Sequence, residues 1–188
     1  GTNPFEMNKT NWQDWLASSE NALQELMQDY DKVFVLGESM GGLLALHLGV
    51  KYPSLLGAMI FAPAVRIKLL WLSKLIWRFK PFITKGKPSP TVPQQSYSVF
   101  PLQAASSLYD LQNKVRMELD KFRIPAVIFQ GKLDDTIDPL GAVEAYEKIA
   151  SSDKDFVFLD KSAHIILLDK QLPEVQEICL EFIRTHLP

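Results

Sequence analysis

Apolar residues gather in four short runs along the chain, with stretches of helical spacing between them. The runs are Val33–Leu36, Gly57–Phe61, Ala126–Gln130 and the centre of Lys154–Asp160. Each is bounded by turn formers or charges, the mark of a buried strand. Trp12, Trp15, Leu16, Leu23, Leu26 and Met27 recur at spacings of three and four. They predict a helix over 10–29, opened by a capping box at Thr10 and Gln13. Leu43 to Leu48 predict a second helix, stopped by Lys51-Tyr52-Pro53. Asp138-Pro139 reads as an N-cap with proline at N1, starting a helix through about Ala150. Val175, Ile178, Cys179, Phe182 and Ile183 mark the inner face of a last helix. Strands alternating with helices predict an α/β fold, a mostly parallel sheet with helices on both faces.

Residues 63–121 break this rhythm. Trp71, Trp77, Phe79, Phe82, Tyr97 and Phe100 stand there among lysines, prolines and serines, followed by a helical stretch from about Gln103 to Lys121. The expectation is a cap inserted into an α/β core whose two parts are residues 1–62 and 122–188. Charge supports a separate role for this segment. No acidic residue occurs between Glu38 and Asp110, while eight basic ones do: Lys51, Arg66, Lys68, Lys74, Arg78, Lys80, Lys85 and Lys87. The rest of the chain holds the other 12 of its 20 basic residues and all 22 acidic ones. Such asymmetry marks a segment with its own task. With 188 residues, 47% of them apolar, the chain has material for one well-filled domain. A single cysteine, Cys179, rules out an intramolecular disulfide or a cysteine zinc cluster, and its helical face predicts a buried, inert thiol. No apolar run is long enough to span a bilayer and no leader pattern opens the chain, so the expected location is cytoplasmic.

Chemistry enters at Gly37-Glu38-Ser39-Met40-Gly41. This G-x-S-x-G lies between a predicted strand and a predicted helix, the setting of a nucleophile elbow. A serine so placed stands clear at the carboxyl end of a strand, and the flanking glycines keep side chains away where strand and helix nearly collide. The Met40 N–H, at the helix start, points to where an oxyanion would form. The competing reading is a glycine-rich turn with an idle serine. A serine hydroxyl needs a base, and the base needs an orienting carboxylate. Asp134 follows the third strand and His164 the fourth, so both fall on the rim that carries Ser39. Asp134 is favoured over Asp135, and over Asp138, which serves as a helix cap. His47 reads as a packing residue on the elbow helix, and His186, near the end, as a solvated one.

These residues together resemble the α/β-hydrolase superfamily, and within it the bacterial carboxylesterases and monoacylglycerol lipases. Gly37-Glu38-Ser39-Met40-Gly41-Gly42 is an elbow of that group. Gly131-x-x-Asp134-x-x-Ile137-x-Pro139 is similar to its acid loop, and Ser162-Ala163-His164-Ile165-Ile166-Leu167-Leu168-Asp169 to its histidine loop. The resemblance implies Ser39 as nucleophile, Asp134 as acid and His164 as base, with neither metal nor cofactor. It also implies that this chain is the C-terminal portion of the fold. Gly1-Thr2-Asn3 resembles the end of a Gly-His-Gly turn that follows several earlier strands, so about 60–80 residues are expected to be absent or supplied by another chain. Met40 would then be the one remaining oxyanion donor, and Val33–Leu36 an open strand edge.

The expected reaction is hydrolysis of short or medium acyl esters or monoacylglycerols through an acyl-enzyme. Trp71, Leu72, Leu75 and Ile76 are candidates to line an acyl pocket, against the alternative that they only pack the cap. The lysines among them suit an anionic lipid surface or a merely solvated face. No nucleic-acid-binding fold is indicated. A thioesterase, amide hydrolase or acyltransferase would use the same triad, and a silent fragment or scaffold stands as the non-catalytic alternative. A dehalogenase or epoxide hydrolase would need a carboxylate where Ser39 stands.

Overall fold

The structure, a computed structural model, describes residues 3–85 and 97–188; Gly1, Thr2 and Lys87, used above, lie outside the described residues. In chain order the elements are α1 (Pro4–Met7), α2 (Trp12–Asp29), β1 (Phe34–Glu38), α3 (Met40–Lys51), β2 (Gly57–Phe61), α4 (Ser73–Ile76), β3 (Phe82–Thr84), β4 (Val99–Pro101), α5 (Leu102–Arg116), β5 (Ala126–Gly131), α6 (Leu140–Lys148), β6 (Lys154–Leu159) and α7 (Leu172–His186). The strands predicted from the apolar runs form one parallel sheet in the order β1-β2-β5-β6. Register pairs Leu36 with Met59 and Ile60 with Ile128, so the runs lie side by side through the centre.

Strand side chains alternate between two apolar layers. Ala58, Ile60, Ala126 and Ile128 face α2, α3, α5 and α6, where Leu43, Leu46, Leu111 and Phe122 are buried. Met59, Phe61, Val127 and Phe129 face α7, against Val175 and Phe182, with Phe61 and Phe129 stacked at 4.8 Å. Helices on both faces explain why these strands are apolar at nearly every position rather than at alternate ones. Among the described residues no helix is long and apolar enough to cross a membrane.

Several local readings are corrected. The capping box of α2 belongs to Asn11 and Asp14, not Thr10 and Gln13. Asn11 Oδ1 accepts from the Gln13 and Asp14 N–H groups, and the Asp14 carboxylate accepts from Asn11 N–H. Thr10 instead accepts from the Trp15 indole at 2.7 Å. Helix α6 begins one residue later than expected, although Asp138 still accepts from the Leu140 N–H. His186 is not free in solvent: it bonds the Phe182 carbonyl at 2.7 Å and Asp153 at 3.0 Å.

Between β2 and β5 the chain makes a 3-10 turn at Leu70–Leu72, α4, the antiparallel β3–β4 pair and α5. The β3–β4 pair was not foreseen, because three-residue strands are too short to show alternation. Helix α5 runs from this region into the sheet core, burying Leu111 and Val115 there. Arg66 reaches Asp138 at 3.9 Å and its carbonyl accepts the Asp138 N–H, which ties the segment after β2 to the loop after β5.

Candidate active site

Ser39 is the hinge between β1 and α3. Its φ of 57° and ψ of −115° are strained for a side chain other than glycine, and such strain concentrates at functional sites. The conformation is locked from both sides. Ser39 N–H donates to Phe61 O at 2.9 Å, while its carbonyl accepts from Gly42 and Ala64, each at 3.0 Å. Gly37 is sterically required, since a Cβ there would lie 2.1 Å from the Gly41 carbonyl oxygen. Gly41 itself faces open space, so of the two motif glycines only the first is required by contact.

His164 sits in the loop after β6, buried, with both ring nitrogens engaged. Nε2 lies 2.9 Å from Ser39 Oγ and Nδ1 lies 2.9 Å from Asp134 Oδ2. Asp134, in the turn after β5, has a fully enclosed side chain. Its Oδ1 accepts from the Thr136 and Ile137 N–H groups at 2.9 and 3.1 Å, and its Oδ2 also accepts from Gln130 Nε2 at 3.0 Å. Burial works to raise the Asp134 carboxyl. The His164 bond and charge, with the Ile137 N–H and the Gln130 amide, outweigh it and hold the pKa below the usual aspartate value. Asp135 is exposed and Asp138 serves α6, so of the three aspartates Asp134 meets the histidine.

Residues to which the motifs assign no chemical role hold these loops in place. Glu38 Oε1 accepts the Leu167 N–H at 3.1 Å and so links the elbow to the turn after His164. Burial raises the Glu38 pKa, with the Asp134 charge adding to it, against the Leu167 and Ile166 N–H groups and His164. Asp169 accepts the Ala163 N–H at 2.7 Å, and Gln171 accepts the Lys161 N–H at 2.6 Å. Gly131 lets the two loops touch: a Cβ there would stand 2.3 Å from the Ala163 carbonyl oxygen. Gln130 is fully buried and donates to Asp134 and to the Gly131 carbonyl, which leaves its Oε1 without a partner. Turning the amide over would set Oε1 against the carboxylate, so the orphan is the less costly arrangement. Among the described residues no three His, Cys, Asp or Glu side chains are grouped as a metal would require.

A strained serine between strand and helix, joined through a histidine to a buried aspartate, is the arrangement of a serine hydrolase. The family model described as Hydrolase_4, "Serine aminopeptidase, S33", matches residues 5–171. The chain belongs to this α/β-hydrolase family. It is 31% identical to the thermostable monoacylglycerol lipase of Bacillus sp. (strain H-257), covering 99% of this chain and 76% of that one. It is 25% identical to a carboxylesterase of Bacillus subtilis (strain 168), covering 97% and 76%. Among solved structures, one from the metagenome-derived lipolytic enzymes LipS and LipT superposes with a TM-score of 0.91 at 28% identity, covering 99% and 78%.

In this α/β-hydrolase two apolar cavities adjoin the elbow and the segment after β2. One, of about 210 Å³, is lined by Met7, Trp15, Met40, Phe100, Ala104 and Leu108 among others. Met40, the residue after Ser39, thus opens α3 with its N–H and walls this cavity with its side chain. The second, of about 250 Å³, is lined by Leu72, Ile76, Ile83 and Leu102 among others and shares Phe100 and Ala105 with the first. Of the four apolar residues singled out in the sequence, Leu72 and Ile76 line the second cavity. Trp71 and Leu75 lie outside both and face outward. The residues around the first cavity went unseen because α1, α2, β4 and α5 supply them from distant parts of the sequence.

Proposed function

We propose that the chain hydrolyses carboxylic esters of short to medium acyl chains, monoacylglycerols included, with Ser39 as nucleophile, His164 as base and Asp134 as orienting acid. One observation carries the reading: His164 stands 2.9 Å from both Ser39 Oγ and Asp134 Oδ2. His164 takes the Ser39 proton as Oγ attacks the ester carbonyl. The Met40 N–H receives the developing oxyanion, and Asp134 steadies the imidazolium. The tetrahedral intermediate then collapses, the alcohol leaves with the proton from His164, and an acyl-enzyme remains. Water, deprotonated by His164, attacks that ester and releases the acid with Ser39 restored.

The cavity beside Met40 supports the acyl specificity. Its 210 Å³ is below the ~300–1,000 Å³ of sites that enclose drug-sized ligands, which suits one acyl chain better than a bulky group. An aminopeptidase, the activity in the family's description, would hold a substrate ammonium with a carboxylate. Among the described residues no carboxylate lines this cavity, and Glu38 is occupied by the histidine loop. The reading is also consistent with the activities named for the Bacillus relatives.

Replacing Ser39 by Ala should abolish both p-nitrophenyl butyrate hydrolysis and labelling by a fluorophosphonate probe. Retained turnover in the purified variant would overturn the assignment.

A further inference from the structure

Strand β6 borders the parallel sheet and is paired on one side only, to β5. The carbonyls of Asp153 and Leu159 accept the N–H groups of Ala126 and Lys132, so the odd-numbered residues of β6 turn their backbone groups toward β5. By alternation the N–H and C=O groups of Lys154, Phe156 and Phe158 point outward from the sheet. Side chains do not close this edge. Phe158 is 45% exposed, and Phe156 rests against it with ring centroids 4.8 Å apart. An edge of this kind is a template for a further strand, and proteins that keep one unpaired blunt it with proline, lysine or a bulge. Asp155-Phe156-Val157-Phe158-Leu159 holds neither proline nor lysine, and its register with β5 is unbroken.

The segment is its own complement. Turned antiparallel about Val157, it sets Lys154 opposite Asp160 of a second copy and Phe156 opposite that copy's Phe158. This register brings together the outward backbone groups, as hydrogen-bonded pairs at 154 with 160 and 156 with 158. Lys154, Phe156 and Phe158 share the face of the sheet that meets Tyr146 of α6, so the two charge pairs would flank a row of phenylalanines. Both charges have capacity to spare. Lys154 Nζ donates two of its three protons, to the Tyr146 and Ile149 carbonyls at 2.7 and 2.9 Å. Asp160 meets Lys132 at 2.6 Å through Oδ1, and its side chain is 69% exposed, open to a second cation. Sliding the copies by two residues would set Lys154 against Phe158 or Ser162 and lose both charge pairs.

We propose that two copies of this chain join along β6 as an antiparallel pair centred on Val157, so that each sheet continues into the other. A pairing of this length is a small interface, and assembly is expected at micromolar rather than nanomolar concentrations. Asp160 closes the strand shortly before His164, so the contact would also brace the strand end from which the His164 loop departs. The pairing does not depend on the ester-hydrolase reading, because it is measured without turnover.

The test is analytical ultracentrifugation of the full chain across the micromolar range, joined to cysteine cross-linking. A monomer–dimer equilibrium is expected. Asp160→Lys sets like charges opposite each other at both ends of the pair and should raise the dissociation constant by roughly tenfold or more. Phe158→Lys places a lysine in the middle of the edge and should leave a monomer throughout. In a Cys179→Ser background, Val157→Cys should be trapped as a disulfide-linked dimer under mild oxidation. Its two copies would face each other as a non-hydrogen-bonded pair with Cα atoms about 4.5 Å apart, within disulfide reach. Asp155→Cys should not cross-link, because its copies would lie roughly 13 Å apart along the strands. Thermal unfolding near the wild-type midpoint confirms that each variant is folded, and Ser39→Ala should dimerise like the wild type. A monomer at every concentration, or association unchanged by Asp160→Lys and Phe158→Lys, overturns the proposal. So does cross-linking of Asp155→Cys in place of Val157→Cys.

Discussion

Glu38 stands next to the nucleophile in sequence, yet its role lies 129 positions away, where its carboxylate receives the Leu167 N–H. The bond fixes the turn that follows His164, and through it the position of the imidazole over Ser39. Glu38→Gln keeps an acceptor at that position, whereas Glu38→Leu leaves a partly buried N–H without one, at a cost of about 1–3 kcal/mol. Glu38→Gln should therefore stay close to wild type in kcat, and Glu38→Leu should lose about tenfold or more in kcat with KM little changed. Steady-state kinetics on a soluble ester read the difference; equal losses in both variants would show that the charge, not the bond, matters. This residue could not be read from the sequence. Ser39, Asp134 and His164 were legible because a strand end plus a residue type defines their place. Glu38, Gln130 and Asp169 are polar residues in contexts that many sequences share, and their contacts arise only when two loops meet.

At the scale of elements, three helices are joined by one polar cluster. His47 on α3 touches Glu20 of α2 at 3.0 Å and Glu118, just beyond α5, at 3.2 Å; Lys51 and Lys114 complete the set against the same two carboxylates. His47 is buried among these partners, so His47→Leu removes a bond from each carboxylate at once. A loss of about 1–3 kcal/mol is expected, read as a lower urea midpoint with an unchanged slope. Ester turnover per folded molecule should be unaffected, since the cluster lies away from the His164 loop. The sequence suggested only that His47 packs; its partners are 27 and 71 residues away and carry no pattern. The sheet strands, by contrast, were legible to within a residue or two, the central β2 and β5 because burial on both faces demands uninterrupted apolar runs. Helix α1 and the β3–β4 pair were not, at three or four residues each. The cap of α2 shifted by one because Thr10 and Asn11 are both competent caps, and the choice fell to Thr10's bond with the Trp15 indole.

For the whole molecule, the ionisable groups place an acid limit and a weaker alkaline one on stability. Asp134, Glu20, Glu118 and Glu144 are all held below their ordinary values. In each case burial opposes the shift, and bonds to His164, to Lys51 and His47, to Lys114 and His47, and to Lys148 and Arg116 respectively overcome it. A carboxylate with a depressed folded pKa contributes stability that is present above its unfolded value and is lost as pH falls through the folded one. Glu38 acts in the opposite sense, since burial raises it and its ionisation costs stability as pH rises. Asp160 is lowered likewise by its bond to Lys132, so five carboxylates against one leave a net loss on acidification below about pH 4, where unfolded carboxylates take up protons. His186 sets the other side. Burial lowers it, but the Phe182 carbonyl and Asp153 raise it further, so its contribution is complete below about pH 6.5 and fades as pH rises through the folded value. The unfolding midpoint should therefore peak between these limits and fall more steeply on the acid side. His186→Gln should flatten the alkaline decline and leave the acid limb in place, and thermal melts of both proteins across pH 3 to 9 measure it. An alkaline limb identical in the two proteins would assign that decline to other groups.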